Sequence, residues 1–152
     1  MKIPLLIRER FKELMPFTFI VLSNPEYRVS PRPIWVLVDT GSPWTALTPY
    51  DAILSKVPTH ALKRATDFSE FSFAGHKFWR LMLPEIILSL KYETGKMSRY
   101  EMPSITIMNP TKKIPPEEFK GIPSVLGVDF LRINGFYLHF DPKNNEAFLE
   151  KI

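Results

Sequence analysis

The sequence predicts a mainly β protein with one or two short helices, and three observations carry that reading. Apolar residues recur at every second position over short runs, as in Phe17, Phe19 and Val21 and again in Ile86, Leu88, Leu90 and Tyr92. Such period-two patterns are strand patterns. Fifteen prolines, twelve Phe and five Tyr are spread along the chain, which favours short strands and loops over long helices. Finally, five apolar residues from position 34 to 38 run straight into Asp39, and turn residues follow at Gly41 and Pro43. That run reads as a strand buried on both faces, and an acidic residue at its end is costly unless it is hydrogen-bonded, paired or neutralised.

At 152 residues the length fits one domain, 1–152, with a sizeable core. There is no cysteine, which excludes disulfides, cysteine-ligated zinc and thiol nucleophiles. The net charge is +4. The basic residues stand in small groups, such as Arg8, Arg10 and Lys12 or Lys112 and Lys113, with acids interspersed. That is a solvated surface rather than a nucleic-acid stripe. No stretch approaches the roughly 20 apolar residues of a membrane span, and the apolar residues 3–7 are too few for a signal peptide. The expectation is a cytoplasmic protein with no nucleic-acid or membrane partner.

Taken in order, residues 2–7 form a short strand, and 8–15 are a helical turn or continue extended. Residues 16–22 are a strand mostly buried on both faces, antiparallel to 34–40 beyond the turn signal Ser23-Asn24-Pro25-Glu26. Thr48 is a good N-cap and Pro49 a good first residue for a short helix that Pro58 ends. Residues 67–83 read as a hairpin with Phe68, Phe71 and Phe73 on one arm and Phe78, Trp79, Leu81 and Leu83 on the other. Its tip is Ala74-Gly75-His76, where Gly75 supplies the backbone a tight turn needs. Residues 86–92 are a strand with one wetter face, turned at Thr94-Gly95-Lys96 into 97–108. Four prolines and three lysines make 109–124 a surface loop. Residues 128–133 form a short helix ending near Gly135, and a final hairpin pairs 136–140 with 146–152.

The stretch Leu37-Val38-Asp39-Thr40-Gly41-Ser42, with Thr45 following, resembles the catalytic loop of the retropepsin-like, single-domain aspartic proteases. Val125-Leu126-Gly127-Val128-Asp129 resembles that family's second apolar-apolar-Gly motif with its helix. The Gly75 hairpin lies between the two, where the family keeps its flap. The resemblance implies a closed, barrel-like acid-protease fold with terminal dimer strands, and an aspartic endopeptidase without cofactor or metal. It implies that Asp39, Thr40 and Gly41 are the catalytic set. Ser42 and the flap residues Ala74, Gly75 and His76 would meet a peptide or protein substrate, and Leu126, Gly127 and Asp129 would be the structural second motif.

Peptide hydrolysis by this route needs two carboxylates sharing one proton and one water, because like charges that close cannot both ionise. One Asp-Thr-Gly supplies one of them, and Asp129 follows its glycine instead of preceding it. The resemblance therefore implies a homodimer about a two-fold axis, with Thr40 interlocking the two loops. Pro43 and Val128 stand where viral members carry an acidic residue and an arginine. The intersubunit ion pair those residues make is thus missing, and dimerisation falls to other contacts, with residues 147–152 and the N-terminal segment as candidates. The competing reading is a catalytically weak or inactive peptide-binding scaffold of the same fold. Phe68, Phe71 and Phe73 read as packing rather than substrate contacts. His60, His76 and His139 are too far apart in sequence for ligand spacing, so no metal site is expected.

Overall fold

The computed structural model describes residues 1–65 and 70–152. Two strands open the chain, β1 (Lys2–Pro4) and β2 (Leu6–Arg10), and β2 folds back antiparallel on β3 (Glu13–Ser23). Phe11 and Lys12 make the turn with φ of 52° and 63°, the left-handed pair that matches the twist of a tight hairpin. Residues 8–10 and 13–15 are therefore extended on either side of a hairpin turn, and no helical turn forms there. β3 pairs antiparallel with β4 (Pro33–Val38), setting Phe17 opposite Leu37 and Phe19 opposite Trp35. The expectation that residues 16–22 are buried on both faces is only partly met. Phe19 is 50% exposed and leans on Trp35 at 4.5 Å between ring centroids.

β5 (Ala46–Leu47) leads into α1 (Pro49–Leu54). Thr48 caps the helix as expected, its Oγ1 accepting from Asp51 N at 3.2 Å. The helix ends before Pro58, at Ser55, and Lys56 turns the chain away with φ 56°. β6 (Lys63–Arg64) is short; β7 (Glu70–Phe73) and β8 (His76–Lys91) form the expected hairpin around Ala74 and Gly75. Phe68, expected on its first arm, lies outside the described residues. β8 does not stop at Leu83. It runs for 16 residues and pairs with β9 (Met97–Pro110) from Phe78 opposite Pro110 to Lys91 opposite Met97, so two expected strands are one.

The segment 109–124 is more than a surface loop. It contains a 3-10 turn, Pro116–Phe119, whose Phe119 is 1% exposed and packs on Phe78 at 5.5 Å. A proline-rich stretch still buries a ring when a neighbouring strand presents an apolar face. β10 (Ser124–Leu126) follows, then α2 (Val128–Asn134), which Gly135 ends in the left-handed conformation at φ 68°. The terminal hairpin is β11 (Phe136–Asp141) and β12 (Glu146–Lys151).

Hydrogen bonding runs β3–β4–β10–β5–β9–β8 and returns from β8 to β3 through Val21 opposite Ser89, closing a ring of six strands. This is the expected mainly β, closed architecture. Its interior is filled by side chains at or near zero exposure, among them Ile20, Leu22, Val36, Leu47, Leu83, Leu88 and Ile105. Among the described residues, β2 and β6 stand at the ends of the larger sheet's strand order, and a separate three-stranded sheet has the order β1–β12–β11. β12 is thus the middle strand, with both backbone edges occupied by its own chain. The expected pairing of 136–140 with 146–152 is met, and the N-terminal β1 takes the other edge of β12, so the two segments named as candidate dimer contacts lie side by side in one sheet. No described helix is long and apolar enough to cross a membrane.

Candidate active site

The Asp39 loop is positioned by a strand that arrives late in the sequence. β10 lies between β4 and β5, parallel to the first and antiparallel to the second, with Leu126 beside Val38 and Val125 beside Ala46. Asp39 N donates to the Leu126 carbonyl at 3.0 Å, which extends the β4–β10 ladder by one residue. The chain then turns: Gly41 N donates to Asp39 Oδ1 at 2.8 Å and Ser42 N to the Asp39 carbonyl at 3.1 Å. A Cβ on Gly41 would stand 3.1 Å from Asp39 Oδ1, so the glycine lets its own amide reach the carboxylate. Asp39 is half-buried, and Thr40 and Gly41 are exposed beside it.

The far side of the loop is tied to the second motif. Val128 N donates to the Ser42 carbonyl at 2.9 Å, and Ser42 Oγ to the Trp44 carbonyl at 2.7 Å. Thr45, fully buried, gives both its amide and its hydroxyl to Asp129 Oδ1, at 2.8 and 2.7 Å. The same hydroxyl accepts from Gly127 N at 3.0 Å. Asp129 also accepts from the Phe130 amide at 2.7 Å, an acid in the first turn of α2 where the helix dipole favours it. Asp129 is therefore a buttress that holds Thr45 and α2 to the loop. A carboxylate with three donors from its own chain has its charge satisfied, and nothing in this geometry sets it beside Asp39 as a second carboxylate.

Asp39 faces a cleft of about 280 Å³ that also takes in Gly41, Ser42, Trp44, Met108 and, from β7, Phe71, Ser72 and Phe73. Phe71 and Phe73 pack against the small core around Phe78 and Phe119, as expected. They are wall residues too, which the period-two pattern alone did not separate from packing. Trp44 meets Phe71 edge-on at 5.5 Å and carries the Arg80 guanidinium over its ring at 4.2 Å. Arg80 Nε in turn donates to Thr106 Oγ1 at 3.0 Å. The one sequence signal for Trp44 is its place two residues after Ser42, inside the motif.

Of the residues expected at the flap, the cleft receives the body of the hairpin and not its tip. Ala74 and Gly75 are exposed. Gly75 and His76 border a different recess, of about 210 Å³, with Lys77, Thr111 and Lys112, and His76 rests edge-on against Phe119 at 5.1 Å. Asp39, Gly41 and Ser42 are thus brought together, Leu126, Gly127 and Asp129 support them from behind, and the tip residues stand apart within one chain.

No protein-family model and no curated protein matches the sequence. Among solved structures, the chain is similar to EIAV protease complexed with the inhibitor HBY-793, at 17% identity and a TM-score of 0.46, over 82% of this chain and 92% of that one. It is also similar to a retropepsin-like aspartic protease from Rickettsia conorii, at 18% identity and a TM-score of 0.48, over 97% of this chain and 90% of that one. The likeness is one of chain trace, and the reading of Asp39 rests on this chain's own residues.

Proposed function

We propose that two copies of this chain form a retropepsin-like aspartic endopeptidase that hydrolyses extended, largely apolar peptide segments. Asp39 of each copy supplies half of the reacting pair. The observation that carries this is the setting of Asp39: a half-buried carboxylate on a loop fixed by Leu126 and Ser42, at one end of an apolar cleft, with Thr40 and Gly41 exposed next to it. A purely structural acid would gather several donors from its own chain, as Asp129 in the first turn of α2 does. Among the described residues, Asp39 takes one side-chain donor, from its own turn, which leaves lone pairs for water, substrate or a second chain.

In the assembled pair, one carboxylate removes a proton from a water as the water oxygen attacks the scissile carbonyl carbon. The partner's protonated carboxyl hydrogen-bonds to the carbonyl oxygen, and the tetrahedral intermediate collapses with proton transfer to the leaving nitrogen. The proton shared at the outset belongs to the pair and not to either residue. Trp44, Phe71 and Phe73 would hold apolar side chains of the peptide, and β7, which among the described residues pairs with β8 on one side, offers an edge to an extended backbone.

The test is peptide cleavage by the parent and by Asp39→Asn, read alongside sedimentation. The variant should lose activity by about a hundredfold or more, the usual worth of general acid–base groups. The parent's specific activity should rise with chain concentration as the dimer forms. Cleavage by Asp39→Asn at the parental rate would end the proposal. A second reading has its own observation: β12 is enclosed on both edges, and Pro43 and Val128 offer no ion pair. A chain that stays monomeric at working concentration and binds apolar peptides without cutting them would be a peptide-binding module of the same fold.

A further inference from the structure

We propose that the turn end of the β11–β12 hairpin is a divalent-metal site, with His139, Asp141 and Glu146 as its protein ligands and a borderline ion, Zn²⁺ foremost, as its occupant. The site is built by register. His139 and Asp141 lie two apart on β11 and so share a face. Asp141 stands directly opposite Glu146 on β12, and His139 opposite Phe148. One donor atom from each of the three lies within 4.8 Å of the others.

Two details point to a ligand and not to a solvated ion pair. His139 Nε2 is 3.8 Å from Glu146 Oε1, too long for a hydrogen bond, and that nitrogen is buried with no hydrogen-bond partner. The imidazole does not swing freely, because it stacks on Phe148 at 4.5 Å and 14°. A buried nitrogen left unpaired costs stability, and a cation among the three donors would remove that cost. Zinc takes imidazole nitrogen and carboxylate oxygen at about 2.0–2.2 Å, which puts its ligands roughly 3.3–3.6 Å apart. The donors stand within 4.8 Å of one another, and Glu146, 55% exposed on its side chain, has room to rotate toward a bound ion.

The backbone beneath is firm. A 3-10 turn, Pro142–Asn144, and Asn145 in the left-handed conformation at φ 52° set the two strands' ends. Asp141 Oδ1 and Oδ2 already accept from Asn144 N at 3.4 Å and Nδ2 at 2.7 Å. Each oxygen keeps a second lone pair for a metal, and the amide contacts hold the carboxylate in place, the outer-shell role such ligands need. One imidazole and two carboxylates neutralise a dication and leave a position for water. The imidazole disfavours Mg²⁺ and Ca²⁺, which prefer all-oxygen sets.

The site is separate from Asp39, and its test reads binding and not cleavage. Titrating the full chain with ZnCl₂ by calorimetry should give one saturable site, a higher Tm by mass action, and a much weaker response to MgCl₂. Glu146→Gln, at an exposed position that leaves the fold alone, should weaken Zn²⁺ by about tenfold or more, given that losing even an outer-shell partner typically costs that much. His139→Gln should do the same, while Asp39→Asn should bind as the parent does. No saturable binding in the parent, or undiminished binding in either hairpin variant, would overturn the proposal.

Discussion

Gly127 has no room for a side chain, and the reason lies in the loop across from it. A Cβ there would meet the Trp44 carbonyl oxygen at 2.4 Å, its carbon at 2.5 Å and the Ser42 carbonyl at 2.9 Å. These are backbone atoms with no rotamer to yield. The close approach is what allows Gly127 N to reach Thr45 Oγ1, and Val128 N to reach the Ser42 carbonyl. Gly127→Ala should therefore destabilise the fold by about 1–3 kcal/mol, the usual cost of overpacking, seen as a lower urea midpoint. It should also lower any peptide cleavage beyond what the stability loss explains, because it pushes out the loop that carries Asp39. A variant with parental stability and activity would show that the loop gives way freely.

The β7–β8 hairpin combines a well-chosen glycine with a poorly chosen alanine. Ala74 and Gly75 both have positive φ, 51° and 81°, as a two-residue turn of the primed type requires. Gly75 adopts that at no steric cost. Ala74 has a Cβ facing the following carbonyl, and no neighbour packs around the Gly75 side of the turn to compensate. Ala74→Asn should stabilise the protein by roughly 0.5–1 kcal/mol, measured by chemical denaturation. Because the hairpin's body and not its tip borders Asp39, the same substitution should leave peptide binding close to the parent's. A loss of stability would mean that the strand register, and not the turn, sets this conformation.

The closed barrel and the three-stranded sheet are joined through Tyr100. Its ring meets Phe130 of α2 at 5.6 Å and Phe136 of β11 at 5.3 Å, both near perpendicular, and its hydroxyl hydrogen-bonds to that of Tyr92. Burial, and then the Tyr92 hydroxyl, push the Tyr100 pKa up from 10.0 to about 12. A raised folded-state pKa means that the native protein holds this proton more tightly than the unfolded chain does. The stability it brings is complete below pH 10 and is lost as pH rises from 10 toward 12. Spectrophotometric titration should show Tyr100 ionising late, near pH 12, and stability falling over that window. Tyr92→Phe should move the late step to lower pH. If all tyrosines titrate together while the protein remains folded, the junction is wetter than this packing implies.

Short-range physics was legible without coordinates. The Thr48 cap, the stop at Gly135, the hairpins at Gly75, Gly95 and 141–145, and the turn after Asp39 all follow from residues within a few positions of one another. Caps and turns are local hydrogen-bond and φ requirements, so they are written locally. The Asp-Thr-Gly loop and its apolar-Gly echo at 125–127 were visible for the same reason. Which strands become neighbours was not. A period-two pattern says which face is buried, and burial is non-directional, so it could not say that β10 would slide between β4 and β5. Nor could it say that β3 would close on β8, or that β12 would sit enclosed between β1 and β11. The role of Asp129 as a buttress for Thr45, and the meeting of His139 with Asp141 and Glu146, depend on those pairings. Asp39 was identified by its neighbours in sequence; its setting was decided by a strand that the chain reaches more than eighty residues later.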